Sequence, residues 1–181
     1  MAKRHKQQKF EGEGLQSPKD SFGGSLLKNS HAKTKRPLDS KLPIHLVLRA
    51  AKGGMRHPKT LKPVNDLIGK VCKKHGVTIY RYSNVGNHIH MVMKIPGRPR
   101  WSAFIRELTG RISQLIQGIR GRQKGVRFWA QRPFTRIVRG WRRAFQLACQ
   151  YVELNQLEAE GFISRRDTKT LKDLRAIWES G

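Results

Sequence analysis

The stretch Asn87–Lys94, near the middle of the chain, has the pattern of a β-strand whose one face is covered by other parts of the protein. Apolar residues at the odd positions alternate with His88 and His90, and successive side chains of a strand point to opposite faces. The two imidazoles therefore share the other face, with their Cβ atoms roughly 7 Å apart, close enough to bind one divalent ion. A surface strand that happens to contain two histidines would have the same pattern, so the rest of the chain must decide.

The charge of the chain points to a polyanionic partner. Its 181 residues include 38 Lys and Arg against 12 Asp and Glu, a formal net charge of +26. Such an excess repels itself unless it neutralises a polyanion, so nucleic acid is the leading partner and an anionic membrane surface the second. No apolar run is long enough to span a bilayer, and the N-terminus lacks the apolar segment of a secretory signal. We expect a cytoplasmic, nucleoid-associated protein with no membrane partner.

The composition predicts one folded domain with a tail at each end. Residues 1–40 are basic and rich in Gly, Ser and Gln without periodicity, which predicts a flexible N-terminal arm that either lies along phosphates or only aids solubility. Residues 41–165 form the domain, and residues 166–181 form a C-terminal tail with a short helix between 168 and 178. Cys72 and Cys149 lie in apolar helical patterns and are expected to be buried thiols.

The periodicity predicts alternating strands and helices in the order β-α-β-β-α-β(β)-α. Such an order is typical of an α+β fold, an antiparallel sheet with packed helices of the ferredoxin-like or RNA-recognition-motif-like kind. The predicted elements are strands over 44–50, 77–83 and 87–94, a hairpin over 126–138 around Arg132-Pro133, and helices over 60–75, 101–118 and 141–159. This fold hosts unrelated functions, so function must be argued from the site.

The last long helix carries a candidate nucleophile. Tyr151 and Asn155 are four residues apart, so the phenol and the amide lie on one side of the helix about one turn apart. With His88 and His90 they suit metal-assisted phosphodiester cleavage: the histidines and the Asn155 oxygen hold the ion, and Tyr151 attacks phosphorus. The helix alone is equally compatible with a half-buried aromatic and a polar residue near the helix end.

Other tyrosines of the chain are weaker candidates for the nucleophile. Tyr80 and Tyr82 have the same chemistry, but they lie in a strand with no amide at a matching offset. Tyr151 is therefore preferred.

Several of these motifs together resemble the single-tyrosine HUH transposases. They are the histidine run His88–Val92, Phe128-Trp129 followed by basic residues, Tyr151–Asn155, Gly161–Ile163, and the first strand Pro43–Arg49. The chain resembles the insertion-sequence enzymes and, more closely, the REP-associated tyrosine transposases, over about residues 41–165.

The resemblance implies an HUH fold and a set of roles. His88, His90 and Asn155 would bind Mg²⁺ or Mn²⁺, and Tyr151 would nick single-stranded DNA, leaving a 5′-phosphotyrosine and a free 3′-OH. The substrate would be hairpin DNA with a short single-stranded flank. Members of the family act as dimers or monomers, so a homodimer stays open. Asn155 is followed by Gln156, where the REP-associated branch usually has proline, which puts the helix end in question.

Basic residues lie between the two halves of this predicted site. Residues 96–143 contain thirteen Lys and Arg and the single acid Glu107, interleaved with aromatic residues. This composition favours a phosphate track with bases stacked on some aromatics, over a merely solvated cationic surface. The residues predicted to contact DNA are Arg98, Arg100, Arg120, Arg122, Lys124, Arg127, Arg132, Arg136 and Arg139.

Two other functions compete with this reading. A non-catalytic nucleic-acid-binding module, such as a domesticated and inactive relative, would use the same basic surface and would not need His88, His90 or Tyr151. A zinc protein would recruit His45 as a third histidine, although structural zinc sites inside cells more often use cysteine.

Overall fold

The computed structural model describes residues 18–27, 34–120, 127–140 and 142–163. From the second strand onward, the described elements follow the predicted order, which confirms the α+β fold with an antiparallel sheet and packed helices. The elements are two 3-10 helices at Pro18–Asp20 and Gly24–Leu27, strands β1 (Ser21–Phe22), β2 (Ile44–Arg49), β3 (Thr78–Asn84), β4 (His88–Lys94) and β5 (Phe134–Ile137), and helices α1 (Pro58–His75), α2 (Arg98–Arg120) and α3 (Arg143–Glu160).

The sheet has the strand order β1-β5-β2-β4-β3, and every neighbouring pair is antiparallel. Residue His45 of β2 lies opposite Val92 of β4, and Val47 lies opposite His90. Because side chains alternate along a strand, this register puts His45 on the same face as His90 and His88. The expectation that His88 and His90 share a face is confirmed, and the structure adds His45 to that face.

One face of the sheet carries the larger apolar core. Leu46 and Met91 lie opposite each other on it and are fully buried, and α1 and α2 pack over them, with Phe104 of α2 also fully buried. Helix α1 begins with Pro58, whose missing N–H is no loss at a helix start, and ends at Gly76 with φ +66°. These terminators and the apolar stripe agree, so the helix bounds match the prediction closely.

The opposite face of the sheet is crossed by α3. Val92 of β4 packs with Ala148 and Val152 of α3 in a second, smaller apolar cluster, and all three are buried. The histidine strand is therefore covered on both faces, and His90 is only 4% exposed. Sequence periodicity predicted burial only for the apolar face of this strand. A histidine is compatible with either a buried or an exposed position, so its presence did not indicate that α3 covers the other face.

The structure differs from the expected flexible arm at residues 18–27. Strand β1 extends the sheet by pairing with β5, and Asp20 binds Arg139 through two hydrogen bonds of 2.7 and 2.8 Å. Gly23, at φ +88°, has to be glycine, since a Cβ there would lie 2.1 Å from the carbonyl oxygen of Pro133. A two-residue strand has no period to detect, which is why the sequence pattern missed it. Residues 1–17 and 28–33, the rest of the predicted arm before residue 34, and the predicted tail helix lie outside the described residues.

The predicted hairpin over 126–138 is also wrong within the described residues. Ala50 forms an isolated bridge with Trp129, and β5 then pairs with the preceding part of β2. Trp129 and β5 lie along the same edge of β2. They form one strand that is interrupted near Arg132-Pro133. Proline lacks the N–H that a regular ladder needs, which is consistent with the break at this point.

Candidate active site

A cluster of rings from three elements lies where α3 crosses the sheet. The ring of Tyr151, on α3, meets His90 edge-on at 5.6 Å between centroids and His45 edge-on at 6.0 Å. His45 and His90 stack at 5.4 Å with an interplanar angle of 13°. One chain thus brings the predicted nucleophile against the predicted metal-binding strand.

The hydrogen bonds of His88 and His90 are compatible with a lone pair on the Nε2 atom of each ring. His45 Nε2 lies 3.2 Å from His90 Nδ1, and His88 Nδ1 lies 2.6 Å from the side-chain oxygen of Asn87. A proton on Nδ1 of His88 and of His90 satisfies both contacts and leaves the lone pair of each ring on Nε2. This is how metal-binding histidines are commonly arranged, with the second nitrogen donating to a neighbour that orients the ring.

Two buried polar atoms belong to residues of neighbouring strands. Among the described residues, His90 Nε2 and Ser83 Oγ have no hydrogen-bond partner, and Ser83 lies directly opposite His90 in the β3–β4 register. An unsatisfied buried polar group costs about 1–3 kcal/mol, so such a pair is expensive unless something binds there. Sequence reasoning missed Ser83, since only the strand register reveals that it neighbours His90.

Burial keeps these imidazoles neutral. It lowers the pKa of His45 to about 3, with a smaller effect from the charge of Arg136. Burial also lowers the pKa of His90 far below its usual value, and His45 and His88 act in the same direction. A neutral imidazole is the form that binds a metal ion.

Asn155 lies on α3 one turn after Tyr151 and is 8% exposed. Its side-chain nitrogen donates to the Tyr151 carbonyl at 2.6 Å, which leaves the amide oxygen as the atom that could bind a cation.

The helix does not break after Asn155 but continues to Glu160 and ends at Gly161 with φ +83°. The side-chain oxygen of Gln156, the residue where the related transposases usually have proline, accepts a hydrogen bond from the backbone N–H of Asn84 at 3.0 Å. This bond links α3 to β3.

The zinc alternative does not match this arrangement. Nε2 of His45 contacts Nδ1 of His90, so this nitrogen is engaged by a neighbouring ring and is not available as a third metal ligand. In the described parts of the chain, no group of three or more His, Cys, Asp or Glu side chains is placed to hold a metal ion.

The alternative tyrosines are engaged elsewhere. Tyr82 donates its hydroxyl to Asn65 of α1 at 2.8 Å, on the side of the sheet away from Tyr151. Tyr80 packs edge-on against Phe145 of α3 at 5.1 Å. Both positions support the preference for Tyr151.

The basic residues predicted to contact DNA lie on several elements. Arg98 and Arg100 are exposed at the start of α2, on the face of the sheet away from Tyr151, whereas Arg127 and Arg132 are exposed in the segment that leads into β5. The side chain of Arg120, and the residues Arg122 and Lys124, lie outside the described parts of the chain.

The remaining two predicted contacts are engaged with the N-terminal segment. Arg139 forms an ion pair with Asp20, as described above. Arg136 is only 8% exposed and donates from Nε to the Ser21 hydroxyl at 3.2 Å. Arg136 is therefore buried on the face of the sheet that carries the histidines, and its predicted contact with DNA stays a prediction.

Comparisons with known proteins show the fold and the family of this chain. A solved REP-associated tyrosine transposase, bound to a REP hairpin, matches this chain with a TM-score of 0.54 and 15% identity, covering 74% of this chain and 76% of that one. Comparison with curated proteins gives no significant match. The chain belongs to the IS200-like transposase family, which it matches over residues 39–155.

In the ranges that the structure describes, no helix is both long and apolar enough to cross a membrane.

Proposed function

We propose that this protein cleaves single-stranded DNA by forming a covalent bond between Tyr151 and a 5′-phosphate, and then transfers or rejoins the strand. The observation that carries the proposal is the contact of the Tyr151 ring with His90, whose buried Nε2 has no partner among the described residues. Family membership supports the reaction class. A non-catalytic binding module would have no use for a polar cluster that costs stability.

A divalent cation, Mg²⁺ or Mn²⁺, fits the donor atoms of this site. We assign Nε2 of His88 and His90 and the side-chain oxygen of Asn155 as its ligands. The amide oxygen is of the kind that these ions prefer, and the two imidazoles, which are more typical ligands of softer metals, each carry a lone pair on Nε2 when Nδ1 is protonated. When bound, the cation supplies Lewis-acid polarisation of the phosphate.

The chemical step balances without a further reactant. The Tyr151 oxygen forms a bond to phosphorus, and the bond between phosphorus and the 3′ oxygen breaks with its electron pair moving to that oxygen. The phenol proton passes to solvent, and the leaving 3′ oxygen takes up a proton, so the products are a 5′-phosphotyrosine and a 3′-OH.

We propose hairpin DNA with a single-stranded flank as the substrate. The solved protein with this fold is bound to a REP hairpin, and the exposed Arg127 and Arg132 lead into the strand that borders the site. Because α3 packs on the sheet of its own chain, the proposal needs no second subunit, and a homodimer stays untested.

The test is formation of a covalent protein–DNA adduct. Full-length protein is incubated with labelled hairpin DNAs that carry single-stranded flanks, with Mn²⁺ or a chelator, and analysed on denaturing gels. We expect a metal-dependent adduct that Tyr151→Phe abolishes and that Tyr80→Phe, a matched loss of one hydroxyl on the same face of the fold, retains. If binding persists but no adduct forms across a varied pool of hairpins, the protein is a binding module.

A further inference from the structure

Arg136 occupies an unusual place for an arginine. It lies on β5 directly opposite His45 of β2, so both point to the face of the sheet that α3 crosses. His45 in turn lies edge-on to Tyr151 at 6.0 Å. The side chain of Arg136 is therefore one strand away from the residue that contacts the nucleophile, and only 8% of the residue is exposed.

The electrostatics connect Arg136 to the same two residues. Burial lowers the pKa of Arg136, and the charge of the Tyr151 phenol in its ionised form acts against that change. The charge of Arg136 also contributes to the low pKa of His45. A guanidinium that interacts with both rings lies within reach of any anionic group bound between them.

The N-terminal strand holds Arg136 from the other side. Ser21 lies opposite Arg136 in the β1–β5 register and accepts the hydrogen bond from its Nε. The adjacent Asp20 anchors this strand through its two bonds to Arg139. Strand β1 lies outside residues 39–155, the region that matches the family model.

A buried guanidinium beside a phenol and neutral imidazoles has a clear chemical use. Desolvating an arginine is expensive, and buried charges are retained mainly where they have a function. The planar guanidinium pairs with two phosphate oxygens at once, and a fixed cation stabilises charge that develops during phosphoryl transfer.

We propose that Arg136 is a catalytic residue that contacts the non-bridging oxygens of the scissile phosphate during attack by Tyr151, and that Ser21 positions it. The proposal rests on the proposed function. In the step described above, the bonds made and broken are unchanged. Arg136 donates hydrogen bonds to the phosphate and neither gains nor loses a proton.

The experiment measures adduct formation in a single turnover over a range of DNA concentrations, with the full chain and Mn²⁺. We expect Arg136→Gln to lower the maximal rate about 100- to 1,000-fold, and to change the DNA dissociation constant less than about threefold. Arg136→Lys keeps the charge and should recover part of the rate. Lys70→Gln removes one exposed cation from α1, on the far side of the sheet, and is the charge-matched control.

Two further variants separate catalysis from folding. Ser21→Ala should lower the maximal rate roughly tenfold, and Ser21→Thr, which keeps the hydroxyl, should restore it. If Arg136→Gln does not fold, as judged by its thermal unfolding, Arg136→Ala assayed with added guanidinium tests the same group, and recovery of the rate is expected.

The outcomes are distinguishable. A wild-type maximal rate in Arg136→Gln overturns the assignment, and so does a loss confined to DNA affinity; in both cases the proposed function stands if Tyr151→Phe is inactive. No adduct from the wild-type protein on any hairpin overturns the assignment and the proposed function together.

Discussion

The two faces of the sheet use the same strands for opposite purposes. On the face that α1 and α2 cover, the residues of β2 and β4 are apolar and fully buried, such as Leu46 and Met91. On the face that α3 crosses, the alternate residues of those strands are His45 and His90, with unsatisfied polar atoms beside them. The first face carries the larger apolar core, whereas the second combines a smaller apolar cluster with polar groups near Tyr151 whose burial lowers the stability of the fold.

The largest expected effect comes from the apolar face. Phe104→Ala should lower the free energy of unfolding by about 3–5 kcal/mol, because it leaves a cavity where a fully buried ring was packed. Chemical denaturation measures this loss. Phe145→Ala, the same truncation at a half-buried position of α3, is the control and should cost clearly less. Equal losses would mean that the two faces contribute alike to stability.

A smaller effect, of opposite sign, is expected on the α3 face. Ser83→Ala should raise the free energy of unfolding of metal-free protein by about 1 kcal/mol, because it removes a buried hydroxyl that has no partner among the described residues. Thr135→Val removes a buried hydroxyl that accepts a hydrogen bond from Arg36 at 2.6 Å and should instead destabilise the protein. Destabilisation by both variants would show that the Ser83 hydroxyl is satisfied in solution.

The smallest effect concerns pH. Glu107 of α2 binds Lys74 and His75 at the end of α1, each at 2.8 Å, and these bonds lower the pKa of the carboxyl to about 2 from 4.5. Since the folded state binds the proton more weakly than the unfolded state, the stabilisation is complete above about pH 4.5 and is lost as the pH falls towards 2. Thermal unfolding of the wild type and of Glu107→Gln should therefore differ at pH 6 and converge in acid. A constant difference across this range would contradict the assignment.

The sequence was most informative where a repeating pattern existed. The helical stripes and strand alternation predicted α1, α2, α3 and the three strands β2, β3 and β4, with bounds close to those observed. The position of His88 and His90 on one face of β4 followed from strand geometry alone. The roles of Tyr151 and Asn155 came from their spacing and from the family resemblance, and they stay predictions until the adduct is tested.

Other features had no pattern to reveal them. Strand β1 is two residues long, and its docking depends on Gly23 and on the Asp20–Arg139 pair, which join distant parts of the chain. Arg136 belongs to a strongly basic segment, and the sequence predicts only that it contacts DNA. Its burial follows from the strands on either side of β5.

The sequence by itself determined which elements form and which side chains share a face, because both follow from local backbone geometry. Only the tertiary structure decided that α3 lies across its own sheet, that Tyr151 meets His45 and His90, and that Ser83 and Arg136 lie beside them. The reason is physical: these contacts join elements far apart in the chain, and their register and docking are set by packing and hydrogen bonding across the sheet.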